Sequence, residues 1–172
     1  MSVRLIVHSA LIGALELTVF TAFSGILYLE AVTFTIVCVA LCFDRRTAVF
    51  SSVCFCILNM VLIQGITPWS LMYLAIYPVY SLIVSGLQKY RLSRLQAALV
   101  TGFLSFLTGQ LLQIPWLMVS RILAAGYLLL GLQTSLIQGG LSAALTWCLF
   151  EPVCKILRQI AGNRQTGRTP SK

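Results

Sequence analysis

The residues able to do chemistry are few, and most sit inside apolar runs. In the stretch "PWSLMYLAIYPVY", Trp69, Tyr73 and Tyr77 recur every fourth residue, and Pro78 follows at once. On a helix these rings line one face. Trp69 fits an interfacial belt residue. Tyr77 lies roughly 12 Å further along the helix, too deep for a belt. A phenol at that depth needs a hydrogen-bond partner. Asn59 and Gln138 also interrupt apolar runs and also need partners. One shared polar and aromatic cavity would satisfy all of them, with Glu30, Trp116 and Gln133 near the same end. The alternative is that the rings only pack helices. If they wall a pocket, Tyr73 and Tyr77 face Asn59 and the start of the last helix. Pro78 frees a carbonyl and can kink its helix.

Glu16 stands apart. Counted from Arg4 it lies roughly 18 Å along its helix, past the middle of a bilayer. A carboxylate there is costly and is a functional candidate by default. Protonation, or a hydrogen bond to another helix, would make it structural instead.

Other chemistries lack their residues. With four acids and one histidine, His8, there is no nucleophile elbow, HExxH motif, phosphate-binding loop or pair of acids at helical spacing. No enzyme and no catalytic residue is expected. Cys38, Cys42, Cys54, Cys56, Cys148 and Cys154 all fall in apolar runs without a CxxC pair. They read as small hydrophobes, with no disulfide, metal site or cofactor expected. Glu151 and Lys155 are four apart, the spacing of an exposed helical ion pair.

The elements that must position these groups follow from composition. The chain has 172 residues, of which 59% are hydrophobic and 9% charged, with a mean hydropathy of +0.94. A soluble domain carries far more polar surface. The reading is an all-α polytopic membrane protein lying in the bilayer. At roughly 20 residues per span, six transmembrane helices use about 120 residues. They are expected over about 5–23, 47–63, 69–87, 95–112 and 132–157, with a partly helical connection over 113–131; the second span ends at 43 and is short unless it starts near 26, since 24–25 break the pattern and 26–31 form a short segment with Tyr28 and Glu30. Residues 1–160 then form a single six-helix membrane domain, and residues 161–172 a polar, disordered cytoplasmic tail. The first run resembles a signal peptide, but its length and Glu16 favour a retained helix.

The net charge of +8 is not a nucleic-acid signature. Eleven of the twelve basic residues fall in Arg4, Arg45–Arg46, Lys89–Arg94 and the segment after Lys155, with no stripe of interleaved aromatics. If six helices alternate, all eleven share one side, and only Arg121 lies opposite. The positive-inside rule then puts both termini in the cytoplasm. Arg121 could meet one carboxylate or phosphate of a ligand.

Small residues mark helix contacts. Ala10 and Ala14 are four apart, as are Ser9 and Gly13, while Gly102, Ser105 and Gly109 make a similar stripe. Small-xxx-small spacing lets helices approach closely. It serves either internal packing or, for Ala10 and Ala14, docking of another membrane subunit.

Several stretches resemble the S component, the substrate-binding subunit of energy-coupling factor (ECF) vitamin transporters. "ALIGA" resembles that family's alanine motif for docking the ECF transmembrane subunit. "YLEAVTFTIVCVALCFDRRTAVF" matches an acid near the outer end, an apolar span and a basic turn. "ILNMVLIQGITPWSLMYLAIYPVYSLIVSGL" and "AAGYLLLGLQTSLIQGGLSAALTWCLFEPVCKIL" resemble later helices of the same family. The resemblance covers about 150 residues in order. It implies six helices in the bacterial cytoplasmic membrane and capture of a water-soluble vitamin or related metabolite in an outward-facing cavity. It also implies partnership with an ECF transmembrane subunit and two cytosolic ATPase subunits. Many members open the last helix with Gly-x-Pro-Phe-Asp, followed by His and Asn. Here Gly131, Gln133, Thr134 and Ser135 stand there, then Gln138 and Ser142, so neutral polar groups replace the acid and imidazole. Ser135 joins the candidate substrate-binding set on this basis. The other class open is a small six-helix membrane scaffold of the MreD type, acting through protein–protein contacts. Intramembrane polar groups at the outer end and the paired alanines distinguish the two, since a scaffold does not obviously require them.

Overall fold

In a computed structural model, residues 3–26, 28–90, 92–118 and 121–162 are described. The tail after Gly162 lies outside the described residues, as does the side chain of Arg121. Most of the described residues are helical, with no strand among them. Helix α1 spans Val3–Phe23, α2 Ala31–Cys42, α3 Arg45–Asn59, α4 Pro68–Gly86, α5 Arg94–Leu111 and α6 Arg121–Gly162. Five helical stretches are long and apolar enough to cross a membrane; α2 is apolar but shorter.

Local chemistry explains the boundaries. Asp44 caps α3, accepting from the Thr47 amide at 3.1 Å and the Thr47 hydroxyl at 2.7 Å. Thr67 and Ser70 form a reciprocal capping box at the start of α4, with Pro68 in the first turn, where a missing N–H costs nothing. Ser93 and Gln96 do the same for α5. At the other end of α2, the Gln88 amide donates to the carbonyls of Ala40 and Phe43, satisfying groups that a helix end leaves free.

Helix α2 is the centre of the bundle. Its residues Ala31 to Ala40 are all buried, and it touches each of the other five helices. Its sequence, AVTFTIVCVALC, is apolar all round, the pattern of a helix with no solvent face. At twelve residues it is roughly 18 Å long, against about 30 Å of bilayer hydrocarbon. The second span is thus the short one, without the extension back to 26. There the chain turns after Phe23 instead, with Tyr28 in the left-handed region at φ 63°. The exterior of the bundle carries exposed apolar side chains such as Leu11, Leu62, Ile83, Phe103 and Leu130. Lipid, not water, suits such a surface.

Two other elements differ from expectation. Helix α3 continues beyond Asn59 as a π-helical turn, Met60–Gln64. Helix α6 is a single 42-residue helix, where a connection over 113–131 and a shorter span were expected. No proline or turn cluster interrupts it between Arg121 and Leu132. Gly126 and Gly131 are tolerated within a helix at about 1 kcal/mol each. The short helix Ile114–Met118 is all of the connection that stays apart from it among the described residues.

Small residues make the closest crossings. A Cβ on Gly102 would lie 2.9 Å from the Gly139 carbonyl, and one on Gly139 would lie 2.8 Å from the Gly102 carbonyl. Helices α5 and α6 therefore meet backbone to backbone. Gly13 does the same for α1 against Cys54 of α3. Ser9, Gly13 and Glu16 form the buried face of α1, whereas Ala10 and Ala14 are exposed. The two small-residue pairs of α1 thus have separate roles: one packs the bundle and one faces outward.

The expected Glu151–Lys155 pair is replaced. Glu151 accepts from Arg94 of α5, with Nη2 at 2.6 Å and Nε at 3.0 Å. A bidentate guanidinium fork holds a carboxylate better than an ammonium on its own helix.

Candidate functional site

Glu30 is the organising residue. It occupies the N-cap position of α2, yet its side chain makes no cap hydrogen bond. Its carboxylate turns inward and collects donors from four helices. Oε1 accepts from the Tyr77 hydroxyl of α4 at 2.6 Å and from Thr33 of α2 at 2.9 Å. Oε2 accepts from Ser105 of α5 at 2.6 Å and Gln138 of α6 at 2.7 Å. Ser142, also on α6, donates to the Glu30 carbonyl at 3.1 Å. The carboxyl group also lies at the N-terminal, positive end of the α2 dipole. Among the described residues, the only ion pair is Arg94–Glu151 at the other end of the bundle. Among the described residues, the Glu30 carboxyl group is held by neutral donors.

The aromatic face extends this network. The Tyr77 ring is buried, stacked on Tyr73 with centroids 5.2 Å apart and planes within 6°, and flanked by Phe55 at 5.7 Å. Gln64, at the end of the π-helical turn, meets the Tyr73 side chain. Asn59 is buried at the start of that turn. Its Oδ1, like Oε1 of Gln64, has no hydrogen-bond partner. Buried acceptors without partners are costly and uncommon.

A cavity of about 200 Å³ opens beside Glu30. It is lined by Glu30, Gln138, Phe20 and Val32 and roofed by Tyr28 and neighbours in the α1–α2 turn. Tyr28 in a left-handed conformation stores strain in that turn, of order 1 kcal/mol.

The structure thus brings Glu30, Tyr77 and Gln138 together and stacks Tyr73 on Tyr77. Asn59 lies buried on the neighbouring α3, without a hydrogen bond to the carboxylate. Trp116 belongs to a separate cluster, edge-on to Trp69 at 5.5 Å and stacked on Tyr127 at 4.4 Å. Ser135 accepts from Gln110 at 3.0 Å, in a second α5–α6 contact beside Gly109. Gln133 is exposed on the outer face of α6. Ser105 was read as part of a packing stripe, but its hydroxyl faces Glu30 and Ser142. Thr33, one turn after Glu30, carried no signal beyond that spacing.

Glu16 is a second buried carboxylate, fully enclosed between α1 and α3. Its Oε1 accepts from Ser51 at 3.4 Å, and Oε2 has no partner. It shares no hydrogen bond with the Glu30 network.

No protein-family model, curated protein or solved structure matches this chain.

Proposed function

We propose that the chain is a solute-binding membrane subunit of the ECF S-component type, with six spans, both termini cytoplasmic and a place in the bacterial cell membrane. The observation that carries this reading is the Glu30 carboxylate, lining a cavity while held by donors from four helices. The unpartnered acceptors of Asn59 and of Gln64, which meets Tyr73, lie outside the cavity lining and would serve only a solute that reaches beyond it. A carboxylate without a basic partner favours a solute bearing a cationic or hydrogen-donating group. At about 200 Å³ the cavity is smaller than pockets for drug-sized ligands, about 300 Å³ and upward. Binding a vitamin-sized solute therefore requires the strained α1–α2 turn to move. ATP hydrolysis is assigned to two cytosolic partners, and Ala10 and Ala14 to docking an ECF transmembrane subunit.

A second reading has its own observation. Four side chains already supply both oxygens of the Glu30 carboxylate with donors. A network so complete can simply hold a scaffold together, as the MreD-like alternative requires.

Native mass spectrometry of the protein in mild detergent separates the two. A small-molecule adduct lost in Asn59→Ala, together with a raised melting temperature on adding a B vitamin or related amine, supports the transport reading. No adduct, no thermal shift across the panel, and no association with ECF ATPase and transmembrane subunits would move the assignment to a scaffold.

A further inference from the structure

A larger cleft, of about 590 Å³, lies at the basic end of the bundle. It is separated from Ser105 by eleven residues of α5, roughly 16 Å. Its walls are the first turn of α5, with Ser93 and Arg94, and the last turns of α6, with Glu151, Lys155 and Arg158. The charges there are not equivalent. Arg94 is bound to Glu151 at 2.6 Å and lies over the Trp147 ring at 5.7 Å, so it is fixed and compensated. Lys155 and Arg158 are exposed, three residues apart on α6, and neither has a carboxylate partner among the described residues. The same two helices carry exposed apolar side chains nearby in sequence, Leu95 and Leu99 on α5 and Ile156 and Ile160 on α6.

Two cations without a carboxylate partner among the described residues, Arg158 meeting the Cys42 thiol, in a cleft between membrane-length helices with apolar flanks, match an amphiphile that carries a phosphate. A free phosphate would use the cations but not the flanks. We propose that this cleft binds the headgroup phosphate of an anionic phospholipid, with Lys155 and Arg158 supplying the charge and the acyl chains lying along α5 and α6. The site is independent of the solute-binding reading, since it shares no residue with the Glu30 network.

The test is native mass spectrometry of the delipidated full chain with phosphatidylglycerol, phosphatidylcholine or inorganic phosphate added. Phosphatidylglycerol should be retained over phosphatidylcholine by roughly tenfold. Lys155→Ala with Arg158→Ala should abolish that preference. Both residues are exposed, so the melting temperature should hold, and circular dichroism checks the fold. Glu151→Gln, which releases Arg94, should strengthen retention. Equal retention of the two lipids overturns the proposal. A preference that survives the double substitution also overturns it. Displacement of the lipid by millimolar inorganic phosphate would make free phosphate the occupant and overturn the lipid assignment.

Discussion

The Tyr77 hydroxyl donates to Oε1 of Glu30 at 2.6 Å, tying the middle of α4 to the first turn of α2. The bond makes Glu30 a junction of helices rather than a cap. Tyr77→Phe removes one donor and keeps the ring, so it should cost about 1–2 kcal/mol. Glu30→Ala strands Tyr77, Thr33, Ser105 and Gln138 together and should cost about 3 kcal/mol or more. Denaturation in detergent reads both. Equal, small losses would mean that the four donors do not converge on one carboxylate.

The α5–α6 crossing makes a sharper prediction because it contains its own control. Gly102→Ala and Gly139→Ala each push a methyl against a facing carbonyl, and overpacking of this kind costs about 1–3 kcal/mol. Gly140 is adjacent to Gly139, yet a Cβ there meets nothing within 4 Å. Gly140→Ala should leave the melting temperature unchanged or raise it slightly, since alanine favours the helix. Losses of the same size at Gly139 and Gly140 would contradict the close crossing.

Helix α1 separates packing from docking. Gly13→Leu should disrupt the fold, because even a Cβ at Gly13 lies 2.8 Å from the Cys54 Cβ. Ala10→Leu and Ala14→Leu lie on the exposed face. They should leave melting temperature and solute binding intact while abolishing co-purification with an ECF transmembrane subunit. Co-purification that survives both substitutions would remove the docking role from this face.

These contrasts show what a linear reading reaches and where it stops. The ends of α4 were legible because Pro68 and the polar turn before it act locally. The depth of Tyr77 announced a need for a partner, and the partner proved to be an acid already singled out. The shortness of α2 was partly legible: its apolar run is too short to span unless it begins near residue 26, and Glu30 already interrupts that extension. The left-handed Tyr28, which sets where the helix starts, carried no signal in the sequence. Contacts between helices were equally hidden. Ser105 reads as a small residue until α2 is placed against it. Glu151 has a basic residue at the favoured spacing on its own helix, yet Arg94 on α5 reaches it with a better fork. Helix spacing encodes which face a residue occupies, but not which helix that face will meet.

Glu16 yields the last prediction, and its two outcomes separate structure from function. The carboxylate is fully buried, with one weak bond from Ser51 and an unpartnered oxygen. Replacing such a group by an apolar side chain of similar length usually leaves stability unchanged or raises it. Glu16→Met should therefore raise the melting temperature in detergent, corresponding to about 1 kcal/mol or more. If solute uptake in cells is lost at the same time, the acid is kept for activity at the expense of stability, the pattern expected of a working intramembrane carboxylate. If uptake is unchanged, Glu16 only fills the α1–α3 seam. A lower melting temperature would instead mean that the carboxylate holds α1 against α3 more firmly than its single bond to Ser51 suggests.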